Sequence, residues 1–256
     1  QTEYKDIEVI IVDDASDLEH QLDDIVNNYW FPIKLIKIKP EQRWWKKDSC
    51  VCINVGTEAT TGEVLVIQQP ECCYIGDVLL DISKNIENGI IVPYSCYLLD
   101  EEESQIFISG LPVEYANIRT TAPTYRQGWG NHPILLPSCF HFCIAITKQT
   151  WKILGGMDMD YAYGFAYCDN DLRQKIWYMG FQMVIPNPDT LPFVVHMYHS
   201  VPLRDSETQI FDSANQKLYD INESTFCKKE LDRSRYYSLL KNFNIDHSPK
   251  PFITRS

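Results

Sequence analysis

Strand-like apolar runs alternate with helix-like segments over about the first 95 residues of this 256-residue chain. The run IEVIIVDD at residues 7–14 is apolar apart from Glu8 until it ends in two aspartates, which is typical of a strand buried on both faces. Further runs follow at residues 33–39, 64–67 and 89–94, and apolar residues at helical spacing separate them at 18–29, 51–59 and 78–86. The alternation predicts an α/β fold, with a mostly parallel sheet flanked by helices.

The pattern is weaker in the rest of the chain. LLDEEESQ at residues 98–105 is acidic and predicts a solvated hairpin tip, and residues 110–138 predict a long functional loop. Residues 216–242 predict a polar helix. We therefore expect one domain over residues 1–200 and a C-terminal helical extension over residues 201–256 that packs on it.

Composition narrows the range of partners. The formal net charge of -12 disfavours nucleic acid, because neutralising phosphates requires many Lys and Arg side chains. No apolar run approaches the ~20 residues that span a bilayer, so we expect no transmembrane segment. Nine scattered cysteines without paired C-x-x-C motifs favour buried, reduced thiols and a cytoplasmic location.

Acidic side chains follow two of the predicted strands. Asp13 and Asp14 end the first run, and Glu71 follows the third run after Gln68, Gln69 and Pro70. Parallel strands bring their carboxyl ends to one edge of the sheet, where α/β proteins bind ligands, so we expect these carboxylates on the same edge. Asp13 and Asp14 suit hydrogen bonds to a base or ribose, or a turn and a helix cap. Glu71 alone is more typical of a turn.

Further along, GGMDMDYAYGFAYCDNDL at residues 155–172 sets four aspartates among glycines and aromatic residues. Asp169 and Asp171 suit the start of a helix. A carboxylate in that position can also face a cleft and act as a general base toward an acceptor. Asp158 and Asp171 are candidate acceptor contacts beside it.

Two other segments carry candidate ligands. FVVHMYH predicts a strand that ends at His196 and His199, whose imidazoles suit a metal or a structural role. YRQGWGNHP places Trp129 in the long loop, where its ring suits stacking on an acceptor sugar or anchoring the loop.

Taken in order, QTEYKDIEVIIVDDAS, NVGTEATTGEVLVIQQPE, GGMDMDYAYGFAYCDNDL and VVHMYH resemble the GT-A fold glycosyltransferases of family 2. The resemblance covers residues 1 to about 200. It implies a Rossmann-like GT-A domain that moves a sugar from a nucleotide-diphosphate sugar, here a UDP-sugar, to an acceptor hydroxyl with inversion. The acceptor would be a glycan, a lipid or a protein.

The resemblance also implies roles for single residues at the donor end of the site. Asp13 and Asp14 would contact the base and the ribose. The family's metal-binding Asp-x-Asp motif corresponds here to Gln69, Pro70 and Glu71. Position alone suggests Lys46, Lys47 or Arg43 as a contact to the phosphates.

Metal binding and base catalysis follow from the same resemblance. Glu71, with His196 or His199, would hold Mn2+ or Mg2+ on the diphosphate, and Gln69 would add its carbonyl oxygen. Asp169 would be the catalytic base.

Two departures from the family pattern keep a second interpretation open. Gln69 brings no charge where the family has an aspartate, and the family's first strand and helix do not precede QTEYKD here. The sequence therefore either starts inside a longer protein or belongs to a fold without that strand. The alternative to an active enzyme is a degenerate GT-A domain that binds nucleotide or sugar, or acts as an assembly module.

Overall fold

The computed structural model describes residues 2–24, 26–113, 115, 128–199, 213–232, 234 and 253–255. Within them, six α-helices flank three β-sheets, which confirms the predicted α/β class. The strands are Val9–Asp13 (β1), Ile33–Lys37 (β2), Val64–Gln68 (β3), Cys72–Ile75 (β4), Ile90–Pro93 (β5), Cys96–Leu98 (β6), Trp129–Gly130 (β7), Cys143–Thr147 (β8), Gln182–Pro186 (β9), Phe193–His196 (β10) and Ile253–Arg255 (β11). The helices are Cys50–Glu58 (α1), Val78–Asn85 (α2), Glu101–Ile108 (α3), Lys148–Leu154 (α4), Cys168–Tyr178 (α5) and Ser213–Leu231 (α6).

The largest sheet has the strand order β11-β9-β5-β8-β3. Strands β9 and β11 run parallel to β5, whereas β8 enters between β3 and β5 and runs antiparallel to both. A smaller sheet has the order β4-β10-β6-β7, and β1 pairs with β2 alone among the described strands. Parallel and antiparallel pairings are equally frequent in this part of the chain, so the predicted excess of parallel pairs is not found.

Strand β8 lies at the centre of the core because both of its faces are covered. Ile144 and Ile146 join a buried cluster with residues of α1, α4 and α5, and Cys143 and Ala145 join another with residues of α2. Successive side chains of a strand point to opposite faces, so CIAIT supplies both clusters. This central position fixes where the residues just before β8 emerge.

Two local predictions are wrong. Where an amphipathic helix is predicted over residues 18–29, the described residues 18–24 and 26–29 contain short 3-10 turns at Leu18–His20 and Val26–Asn28. Leu18 is 87% exposed, so the apolar stripe has no surface to pack against, and packing supplies most of a helix's stability. The acidic segment forms α3 and not a hairpin tip, because Asp100 and Glu103 build a reciprocal capping box at its start.

Helix α6 packs against the turn at Met159–Tyr163 and against α5. Its Asn222 donates hydrogen bonds to the carbonyl oxygens of Tyr161 and Ala166, at 3.0 Å and 2.8 Å. The remainder of the predicted extension lies largely outside the described residues, apart from the short strand β11. No helix in the described ranges combines the length and apolar character needed to cross a membrane.

Candidate active site

The antiparallel pairing of β8 brings two distant segments to one edge of the largest sheet. Gln68, the last residue of β3, pairs with Cys143, the first residue of β8. The segment after β3 therefore meets the segment before β8, and the backbone N–H of Gln69 donates to the carbonyl oxygen of Phe142 at 3.3 Å. This is the carboxyl edge of β3, where ligands of open α/β sheets bind.

A cavity of about 360 Å³ opens at the carboxyl ends of β1 and β2. Asp13 lines it and is 8% exposed, with its Oδ1 accepting a hydrogen bond from the backbone N–H of Ser16 at 2.8 Å. The other lining residues are Ala15, Ser16, Asp17, Leu18, Gln21, Lys37, Ile38, Lys39 and Pro40. Backbone donors, carboxylates and lysines around a cavity of this size suit a nucleoside.

Asp14 and Lys46 lie beside this cavity and do not line it. Arg43 forms a two-pronged ion pair with Asp14, with Nε–Oδ1 and Nη2–Oδ2 distances of 3.0 Å and 3.1 Å. Lys46 has an exposed side chain, and its backbone N–H donates to the carbonyl oxygen of Ala162 at 2.8 Å. The structure thus separates Asp13, at the cavity wall, from the Asp14–Arg43 pair on its outer side.

The predicted metal ligands come together where the carboxyl ends of β3 and β10 meet. His199 Nε2 lies 4.0 Å from Glu71 Oε1, and the rings of His196 and His199 are 5.2 Å apart. The ring of His196 also packs on Phe142, at 5.5 Å between centroids. The buried Oε1 atom of Gln69 has no hydrogen-bond partner within the described part of the chain.

These residues fit part of a metal site. The buried, unpartnered amide oxygen of Gln69, two residues before the carboxylate of the Glu71–His199 pair, would add to the mixed oxygen and nitrogen donor set that Mn2+ accepts. Burial lowers the pKa of His196, which favours the neutral imidazole that a metal requires. Across the described ranges, however, no three His, Cys, Asp or Glu side chains are arranged to hold a metal ion.

Asp169 is the second residue of α5 and is largely buried, with a side chain that is 18% exposed. Its Oδ2 lies 3.9 Å from Nδ1 of His141, and the hydroxyl of Ser49 lies 3.3 Å from the other ring nitrogen, Nε2. Burial raises the pKa of Asp169, and the neighbouring His141 opposes that effect. A largely buried carboxyl group with a raised pKa suits a general base.

Sequence reasoning missed three residues of this site, namely Ser49, His141 and Asp48. His141 belongs to FHFCIAIT, whose alternation predicts a strand over residues 140–147, but β8 begins only at Cys143. His141 therefore lies just outside the strand, at the ligand-binding edge. Only the antiparallel direction of β8 places it there, and local alternation does not reveal that direction.

Asp48 is a buried carboxylate behind the site, with 4% of its surface exposed. Its Oδ1 accepts a hydrogen bond from the backbone N–H of Cys50 at 2.9 Å, and the thiol of Cys168 also donates to it. Burial nevertheless raises the pKa of Asp48 to about 6. The folded protein therefore holds a proton there that the unfolded chain releases near pH 4.

We expect Asp48→Asn to change how stability depends on pH. Between pH 4 and 6 the folded state binds more protons than the unfolded state, so the wild type loses stability as the pH rises, by about 3 kcal/mol. Asp48→Asn has no carboxyl group to ionise at this position and lacks this loss. Its unfolding free energy relative to that of the wild type should therefore be higher at pH 7.5 than at pH 4.5. Urea titrations at both values measure it, with exposed Asp24→Asn as control; a difference that is the same at both values would contradict the assignment.

The three predicted acceptor contacts lie elsewhere. Asp171 is fully buried, where Tyr161 donates to it at 3.3 Å and Lys175 pairs with it at 3.5 Å. Asp158 caps the turn at Met159–Tyr163 and forms an ion pair with Lys229 of α6. The burial of Asp171 and the pairing of Asp158 argue against acceptor binding by either side chain.

Trp129 is also inside the protein. It is 9% exposed and packs edge-on against Tyr97, Phe193 and His132, at centroid distances of 5.1 Å, 5.3 Å and 5.3 Å. Of the two interpretations of its sequence context, the hydrophobic anchor is the one that these contacts favour.

The fold described above is an α/β fold of the GT-A type. Its structure is similar to the crystal structure of GalNAc-T7 with UDP, GalNAc and Mn2+, with a TM-score of 0.55 and 14% sequence identity. The alignment covers 93% of this chain and 49% of that one, so the chain spans about half the length of the structure it matches. Neither a scan of protein-family models nor a search of curated proteins finds a match. At this identity the likeness establishes the fold alone.

Proposed function

We propose that the protein is a glycosyltransferase that uses a UDP-sugar and a divalent metal. The observation that carries the proposal is the link through Phe142: its ring packs on His196, beside the Glu71–His199 pair, and His141, the residue before it, faces Asp169. A metal-binding group beside a buried base is what transfer from a nucleotide diphosphate to a hydroxyl requires.

In the proposed reaction, Asp169 accepts the proton of the acceptor hydroxyl through Oδ2. The hydroxyl oxygen forms a bond to the anomeric carbon, and the bond between that carbon and the diphosphate oxygen breaks with its electron pair going to the diphosphate. In-line attack gives inversion at the anomeric carbon. Oδ1 of Asp169 accepts the backbone N–H of Asn170 at 2.9 Å, which holds the carboxylate in place.

Glu71 and His199 would hold the metal, with His196 packed beside them and Gln69 contributing its unpartnered oxygen. When bound, Mn2+ or Mg2+ would act as a Lewis acid that neutralises the departing diphosphate. The cavity lined by Asp13 would receive the uridine, and the nucleotide's own phosphate oxygens would complete the coordination that the side chains leave open.

Calorimetric titration of UDP with and without Mn2+ tests donor binding. We expect Mn2+ to tighten UDP binding at least about tenfold in the wild type, equivalent to about 1.4 kcal/mol. Glu71→Ala should bind UDP with the same affinity in the presence and absence of Mn2+, because it removes the carboxylate from the proposed metal site. Exposed Glu63→Ala, which removes an equal charge just before β3, is the control. A UDP affinity that changes neither on addition of Mn2+ nor in Glu71→Ala would contradict the metal assignment.

A degenerate GT-A domain is the second candidate, favoured by two observations. The neutral Gln69 stands at the family's aspartate position, and the described residues form no metal group of three ligating side chains. Mn2+-dependent UDP binding without hydrolysis or transfer of any sugar nucleotide in a panel would favour this candidate over an enzyme.

A further inference from the structure

His141 lies between Ser49 and Asp169, and both contacts involve its ring nitrogens. Ser49 Oγ is 3.3 Å from Nε2, and Asp169 Oδ2 is 3.9 Å from Nδ1. The side chains of His141 and Asp169 are only 14% and 18% exposed. The three residues come from the start of α1, the segment before β8 and the start of α5, so tertiary structure alone brings them together.

The chemistry of the two neighbours fixes the proton on the ring. An ionised Asp169 can only accept hydrogen bonds, whereas the hydroxyl of Ser49 can donate one to an unprotonated Nε2. The imidazole then carries its proton on Nδ1, facing Asp169. Nδ1 is buried and has no hydrogen-bond partner among the residues that the structure describes.

We propose that Ser49 holds His141 in the tautomer protonated on Nδ1, and that His141 in turn orients Asp169 and stabilises its ionised form as the base. His141 is thus a positioning residue, and its part in transfer rests on the proposed function. At 3.9 Å the pair interacts through charge and dipole and not through a direct hydrogen bond.

Other groups also face Asp169. Arg173, one turn further along α5, favours the ionised carboxylate, while the buried thiols of Cys139 and Cys168 contribute no charge unless ionised. Asp48 lies behind Cys168 and its charge, when present, disfavours ionisation of Asp169. Removing His141 leaves Arg173 as the favourable neighbour, so the pKa of Asp169 should rise further.

The tautomer can be measured without any activity, by NMR of ring-15N-labelled protein at a pH well above the usual imidazole range. The spectrum of His141→Asn lacks one imidazole, so the missing signals identify His141 among the six histidines. We expect a protonated Nδ1 and an unprotonated Nε2 in the wild type, and a shift toward the Nε2-protonated form in Ser49→Ala. An Nε2-protonated ring in the wild type, or a ring unchanged by Ser49→Ala, would overturn the proposal.

Two near-isosteric variants separate positioning from packing. The amide nitrogen of Asn can replace Nδ1 and still face Asp169, whereas that of Gln replaces Nε2 and reaches only toward Ser49. We expect His141→Gln to lower kcat/KM roughly 10- to 100-fold, the usual loss when a residue that orients a functional side chain is removed. The acid limb of its pH profile should move to higher pH. His141→Asn should retain more activity with a smaller shift.

The control is His20→Asn, which replaces an exposed histidine. Equal losses in the Asn and Gln variants with an unshifted acid limb would indicate a packing role and would overturn the positioning role. If the wild type transfers no sugar, the proposed function fails, and the NMR result alone decides whether Ser49 and His141 form the proposed arrangement.

Discussion

Asp169→Asn is expected to lower sugar transfer by about 10²- to 10⁴-fold, the usual contribution of a general base. Asn has the same shape and can accept the same backbone N–H from Asn170, so the fold and the donor site should remain intact. The loss should therefore lie in kcat, with UDP affinity nearly unchanged. Burial raises the pKa of Asp169, so wild-type activity should fall, on acidification, at a higher pH than an exposed aspartate would give.

Steady-state transfer assays with parallel UDP titrations measure both effects. Asp160→Asn is the matched control, because Asp160 is an aspartate of the same segment that is 66% exposed and pairs with Lys229, away from Asp169. Retained turnover in Asp169→Asn would mean that the base is assigned to the wrong residue. The same assay, followed by NMR of the product anomer, tests the proposed inversion.

Much of the fold and part of the site could be predicted because local patterns report local constraints. Apolar runs such as Val64–Gln68 become strands when they bury at least one face, here that of Leu65 and Ile67, and residues directly after a strand lie at its end. Glu71 and His199 follow two different strands in this way, and the structure brings them within 4.0 Å. Their proximity comes from the antiparallel pairing of β10 with β4, which begins directly after Glu71 and places His196 opposite Cys72.

Other parts of the site depend on the direction and pairing of strands, which no local pattern encodes. The role of Phe142 as the link between Gln69 and His196 follows from the insertion of β8 between β3 and β5 in the antiparallel sense. Ser49 meets His141 across 92 positions of sequence. Such long-range neighbours come from tertiary packing, so the sequence suggests Asp169 as a candidate but does not reveal which residues lie beside it.

The predicted acceptor contacts disagree with the structure for a different reason. Aspartates near glycines and aromatic residues suggest a ligand site, but Asp171 lies on the inner face of α5 and pairs with Lys175 one turn later. Asp158 and Trp129 likewise have partners that are distant in sequence, Lys229 and Phe193. Residue type indicated chemistry in each case, while burial decided whether that chemistry faces a ligand.

Gly164→Ala is expected to destabilise the protein by about 3 kcal/mol, the upper range for overpacking a tight contact. A Cβ atom at Gly164 would lie 2.5 Å from the carbonyl oxygen of Leu218 in α6 and would also overlap the side chain of Asn222. The backbone of α6 cannot relax easily there, because Phe165 N–H donates to the same Leu218 oxygen at 3.1 Å. The helix must move away, and the hydrogen bonds of Asn222 to Tyr161 and Ala166 weaken.

Thermal unfolding should show this as a midpoint roughly 5–10 °C lower in a chain of this size. Gly128→Ala is the control, since nothing lies within 4 Å of its added Cβ atom. Limited proteolysis adds a local measurement, because a displaced α6 should be cut faster in Gly164→Ala than in Gly128→Ala. Equal stability and equal cleavage of the two variants would mean that α6 does not pack on the Gly164 turn in solution. Asp48, which Asn222 of α6 contacts at 3.4 Å, would then be more exposed to solvent.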